Sequence, residues 1–152
     1  LHLGRALFVL ACAAVVTGTV VTGTGPHAGD KRAARLNLVL TDVARVHGAT
    51  VMVFLGTVLV TLWLAYRRGA PAPMRRALNV LLLVLVAQAA VGYTQYFTGV
   101  PVILVAVHVA GATAVFAATA ALYLTLRDRP ATDVVPERRP ERAVTRSSLA
   151  RA

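Results

Sequence analysis

Apolar residues fall into four long blocks separated by short polar stretches. The blocks cover residues 6–24, 46–66, 77–97 and 101–126, each close to or above the roughly 20 residues a helix needs to cross a bilayer. The last block reads PVILVAVHVAGATAVFAATAALYLTL and carries no formal charge and a single histidine, His108. In lipid, a lone segment keeps its backbone groups paired only as a helix. The pattern therefore predicts an all-α integral membrane protein, a four-helix bundle running up-down-up-down over residues 1–126. Turn formers separate the blocks: TGTGPHAGD at residues 22–30, Pro71 and Pro73 as helix breakers between blocks two and three, and TGVP at residues 98–101.

Composition agrees with the pattern. The chain is 57% hydrophobic and 14% charged, with mean hydropathy +0.69, where soluble domains average about 25% charged. The formal charge of +10 would point to nucleic acid in a soluble protein. Here the charges lie between apolar blocks, and membrane topology accounts for them without a nucleic-acid partner. The first block is read as a retained helix, since no A-x-A cleavage site follows it. Cys12 is the single cysteine and says nothing of redox compartment.

Lys and Arg sort by side of the membrane. The amino-terminal stretch, the middle loop and the tail carry one, four and seven. The first connector carries four, Lys31, Arg32, Arg35 and Arg45, and the second turn none. The bias places both termini in the cytoplasm. After residue 126, seven arginines, four acids and three prolines fill residues 127–152, which read as a basic, disordered cytoplasmic tail beside membrane lipid.

Polar residues inside the blocks are the candidates for chemistry. Ala14, Gly18 and Thr22 form a small-residue seam for helix packing. Gln88, Gly92, Gln95 and Tyr96 form a polar stripe on block three that should face the bundle interior. His108 lies seven residues past Pro101, about 10 Å along a helix. His47 reaches the same depth if its helix begins near Leu40. Taken singly, His47 reads as an interfacial residue and His108 as an intramembrane hydrogen-bond partner. As a pair at equal depth, they can hold one iron from opposite faces of a porphyrin. Gly48 and Ala49 follow His47, and Gly111 and Ala112 follow His108 by one turn, leaving room for a flat macrocycle. A faint repeat, Val46-His47 and Val107-His108 each entering a helix after a turn, hints at two hairpins giving one ligand each. Copper or zinc suits the pair less, because no Cys, Met or carboxylate shares that depth. His2 and His27 are given no ligand role.

Four stretches together, VTGTGPHAGD at 21–30, VHGA at 46–49, QAAVGYTQYFTGVP at 88–101 and VHVAGA at 107–112, resemble the heme A synthase family in its actinobacterial form. The resemblance covers about residues 7–126 and is with the carboxy-terminal half of that family. It implies a protein of the plasma membrane, crossing it several times. The family has two similar four-helix bundles and oxidises a methyl group of heme O to a formyl group. The bundle matched here implies a heme b held between His47 and His108. Gly92, Gln95, Tyr96 and Gly111 are then expected in the pocket wall, with Arg35 and Arg45 either near the propionates or simply at the interface.

The family's catalytic half carries a glutamate three residues before its first histidine. Ala44 stands at that place here, so the catalytic carboxylate is expected outside this chain. The chain starts at Leu1 rather than Met. Three arrangements agree with this: a partner amino-terminal half, a longer protein of which this is a piece, or association of four-span chains as homodimers. The competing class is a bis-histidine membrane cytochrome b that transfers electrons without synthase activity.

Overall fold

The computed structural model describes residues 2–26 and 34–127. His27, Lys31, Arg32 and the tail after Arg127 lie outside the described residues. Four helices account for nearly all the rest: α1 (His2–Thr24), α2 (Leu40–Arg67), α3 (Ala72–Phe97) and α4 (Val102–Arg127). Among the described residues there is no strand. Each helix is long and apolar enough to cross a membrane. Even the shortest, at 23 residues, spans about 35 Å at 1.5 Å per residue, against about 30 Å of hydrocarbon.

Threonines inside the helices close their hydroxyls onto their own backbone. The buried Thr61 donates to the Thr57 carbonyl at 2.7 Å and the buried Thr119 to Val115 at 2.8 Å. Neither leaves an unpaired donor, so both sit in the core at little penalty.

Three helices start four to six residues earlier than the sequence expectation, α1 among them at His2 rather than residue 6. α2 begins at Leu40 rather than residue 46, so His47 sits seven residues in. α4 begins at Val102, so His108 sits six residues in. The two histidines therefore share a depth of about 10 Å. α3 begins at Ala72 rather than residue 77, with Pro71 as its N-cap and Pro73 inside its first turn. These prolines start a helix instead of breaking one, because first-turn N–H groups have no intrahelical partner to lose. Arg75 and Arg76 are thereby drawn into α3.

The turns are tight. Gly69 takes φ 63° at the end of α2, and the Ala70 N–H reaches back to the Ala65 carbonyl at 2.8 Å. Between α3 and α4, Gly99 takes φ 80° and Val100 φ 59°. A β-branched residue is disfavoured in that left-handed region. The Val100 N–H bond to the Gln95 carbonyl, 2.7 Å, holds it there. Val100→Asn, which tolerates this conformation, is expected to stabilise the protein by about 1 kcal/mol. Thermal unfolding in detergent checks this, and an unchanged or lower midpoint rejects the strain argument.

The helix backbones approach one another in cyclic order, α1–α2–α3–α4–α1, and the diagonal pairs α1/α3 and α2/α4 bring no Cα atoms within 8 Å. The core is lopsided. Its buried apolar side chains are Leu7 and Ala11 of α1, Phe54, Val58 and Ala65 of α2, Leu78, Leu81 and Leu85 of α3, and Val115 and Leu122 of α4. All come from the first half or middle of the odd helices and the middle or second half of the even ones. Phe8 adds ring contacts to Phe116 and Tyr123 of α4, with centroids 5.8 and 5.3 Å apart. The opposite halves hold no buried apolar side chain among the described residues. Those halves carry the histidines.

Candidate functional site

His47 and His108 project from the diagonal pair α2 and α4 and meet across the bundle axis. Their ring centroids are 6.5 Å apart, with ring planes at 86°. Backbone contact between α2 and α4 is absent, so only the side chains bridge the axis.

Each ring rests on a glycine of the preceding helix. A Cβ added to Gly18 would lie 3.2 Å from Cε1 of His47, and one added to Gly92 would lie 3.0 Å from Cε1 of His108. The backbones of Ala14 and Gln88 lie beside the His47 and His108 rings, each four residues before its glycine. The two hairpins thus build the same seat: a glycine late on the first helix, its i−4 carbonyl, and a histidine early on the second. The repeat faintly visible at Val46-His47 and Val107-His108 extends to the helices opposite.

The seats differ in one respect. Thr17 Oγ1 lies 3.0 Å from His47 Nδ1. The same hydroxyl lies 2.8 Å from the Ala13 carbonyl and 3.2 Å from that of Ala14. A hydroxyl has one proton to give. With that proton on the Ala13 carbonyl, Thr17 accepts from Nδ1–H, and Nε2 of His47 keeps its lone pair. His108 has no counterpart to Thr17: its Nδ1 is buried without a hydrogen-bond partner, and the Gln88 carbonyl falls short of one.

Two more buried oxygens lack partners among the described residues, Oε1 of Gln88 and Oε1 of Gln95. Buried polar atoms are normally paired, so three unpaired ones on α3 and α4 are notable. The Gln88 amide fills the space over Gly111, which has no side chain to exclude it. A Cβ on Gly48 would meet nothing within 4 Å.

The site residues read from the sequence divide accordingly. The structure brings His47, His108, Gly92 and Gly111 together, with Gln88 as a neighbour. Gln95 is half-buried with its oxygen unpaired. Tyr96 is 46% exposed and packs edge-on against Phe97. Arg35 donates to the Gly25 carbonyl and so closes the end of α1. Arg45 pairs with Asp42 at 3.5 Å on the surface. Thr17 and Gln88 had no assigned part in a histidine site, and Gly18 was read only as part of a packing seam.

The donor set limits the chemistry. A metal–imidazole bond of about 2 Å on each side, plus the distance from nitrogen to ring centre, separates two ligating rings by roughly 6 Å. The observed 6.5 Å is of that size. Among the described residues no third His, Cys, Asp or Glu joins the pair. A macrocycle that brings its own four nitrogens needs only two axial donors, whereas an ion held by protein alone needs more. Two imidazoles, unpaired polar atoms beside them and glycine seats behind them fit an axially ligated porphyrin. Neither a family model, nor a characterised protein, nor a solved structure matches the chain.

Proposed function

We propose that this chain is the heme-b-binding half of a heme A synthase, with His47 and His108 as the axial ligands. The observation that carries the reading is the pair of imidazoles 6.5 Å apart on diagonal helices, each seated on a glycine of its own hairpin. His47 and His108 would hold the heme, which would supply one-electron transfer when bound. The residues do the rest. Gly18 and Gly92 let the rings approach α1 and α3. Thr17 holds His47 in the tautomer whose Nε2 can ligate. Gln88 and Gln95 present polar atoms beside the axis.

The bundle runs up-down-up-down in the plasma membrane with both termini cytoplasmic. Contact of Gly4, near the start of α1, with Tyr123 and Leu126, near the end of α4, supports that course. So does the bias of arginine toward the turn between α2 and α3. The histidines then lie in the outer half of the membrane. Heme O is the substrate of the complete enzyme, and an amino-terminal half supplies the carboxylate.

One observation favours a second reading, a cytochrome b module without synthase activity. Ala44 occupies the place of the catalytic glutamate, and Asp42 is the only acid among the described residues. Two measurements separate the readings. The purified chain should bind heme b, with a Soret band and low-spin spectrum. Co-expressed with a heme-O-forming enzyme, it should make no heme A alone and should make it with an amino-terminal half. No Soret band overturns both readings. A Soret band with no heme A under any pairing leaves the cytochrome.

A further inference from the structure

At the end of the bundle away from the histidines, a shallow, open groove of about 460 Å³ lies between the end of α2 and the start of α3. One end of it is cationic and the other apolar. Arg75, Arg76, Asn79 and Tyr66 stand at the polar end, its mouth, and Val80 and Leu83 continue the lining further along α3. Tyr66 is held from two sides: Asn79 Nδ2 donates to its hydroxyl at 3.0 Å, and the Arg75 guanidinium lies 5.2 Å from its ring centre. Val80 and Leu83 are 50% and 69% exposed, and with Arg76 they form one stripe of α3 at i, i+4 and i+7. The stripe leads from the guanidinium into the apolar, membrane-crossing part of the helix.

Charge decides what fits. Arg67, Arg68, Arg75 and Arg76 gather at this end. The only acid among the described residues, Asp42, pairs with Arg45 at the far end of α2. None of the four arginines has an acidic partner among the described residues. Guanidinium groups take phosphate oxygens in a two-pronged fashion. A free phosphate would satisfy the mouth and leave Val80 and Leu83 uncovered. A lipid phosphate brings an acyl chain that covers them.

We propose that this groove binds one anionic phospholipid, its phosphate on Arg75 and Arg76 and one acyl chain along Val80 and Leu83. The site is independent of what the histidines hold. Native mass spectrometry of the full chain, delipidated in detergent and titrated with phosphatidylglycerol or phosphatidylcholine, tests it. One phosphatidylglycerol should be retained in preference to phosphatidylcholine. Arg75→Gln with Arg76→Gln should weaken retention at least about tenfold, the loss expected for a charged hydrogen bond. The Arg75→Lys, Arg76→Lys pair keeps the charge and should fall between. Leu83→Gln should weaken the lipid further down the stripe. Equal retention of the two lipids overturns the proposal, and so does unchanged binding by the glutamine pair. Displacement by inorganic phosphate at equal concentration would assign the mouth to free phosphate instead. Binding only after removal of residues 128–152 would make the acidic side chains of that segment the occupant. If the glutamine pair does not fold, the lysine pair and the comparison of lipids in the unaltered chain still decide.

Discussion

Removing both imidazoles, His47→Ala with His108→Ala, is expected to abolish heme binding, and the two single substitutions are expected to differ. The difference follows from the seats. His47 is oriented by Thr17, whose hydroxyl lies 3.0 Å from Nδ1. His108 has a buried Nδ1 with no partner. A ligand whose second nitrogen is held keeps its direction and tautomer when its opposite number is lost. His108→Ala should therefore retain heme on His47 as a five-coordinate, high-spin species. His47→Ala leaves the unheld ring and should retain less. Thr17→Val, which keeps the shape and removes the hydroxyl, should weaken heme binding by about 10- to 100-fold, the usual effect of losing such an outer partner. Titration with hemin, followed by Soret absorbance and spin state, reads all four variants. An unchanged band in the double variant removes the ligand assignment. Equal behaviour of the single variants removes the part given to Thr17.

Much of this arrangement is legible in the residue order, and the reasons for the remainder are physical. Four uncharged blocks fix four helices, because length and apolarity leave no other way to pair the backbone in lipid. The start of α3 is misread because a proline pair looks the same whether it ends one helix or begins the next. Only the position of the first turn distinguishes the two. The polar stripe on α3 is partly misleading. At 100° per residue, Gln88, Gly92 and Gln95 lie within roughly 60° of one another, whereas Tyr96 lies roughly 80° from Gln88, on the flank. Its exposure follows from that angle.

The glycine seats are hidden for a different reason. Gly18 precedes His47 by 29 residues and Gly92 precedes His108 by 16, so no fixed spacing links the two pairs. The equivalence emerges when positions are counted from the helix ends. Gly18 lies six residues before Thr24, and Gly92 five before Phe97. The histidines lie seven and six residues into α2 and α4. Most of the difference between 29 and 16 is the longer first connector. The lopsided core has a similar origin. Apolar side chains are plentiful in both halves, but only Phe54 and its neighbours interlock around the axis. At the other end the axis is given to two rings and to glycines, which have nothing to interlock.

That division makes the seats the second decisive test. Gly92→Leu is expected to eliminate six-coordinate heme while leaving the helices assembled. An added Cβ alone comes within 3.0 Å of the His108 ring, and a leucine adds three more carbons beyond it. The ring must leave its position or the α3–α4 hairpin must open. Overpacking of this kind commonly costs about 1–3 kcal/mol, which the packed half, built on Leu78, Leu81 and Leu85 against Phe54, is placed to absorb. Gly18→Leu should do the same to His47. Two further glycines supply the contrast. Gly111→Ala meets the end of the Gln88 side chain, which can swing aside, so heme binding should fall only slightly. Gly56→Ala meets nothing within 4 Å and should raise stability by about 1 kcal/mol through helix propensity. Spectra and thermal melts of the four variants check the order. If Gly92→Leu retains a low-spin spectrum, the ring is not seated on Gly92 when the ligand is bound. If Gly56→Ala is as damaging as Gly92→Leu, the effect belongs to any added bulk in the membrane and not to the seat.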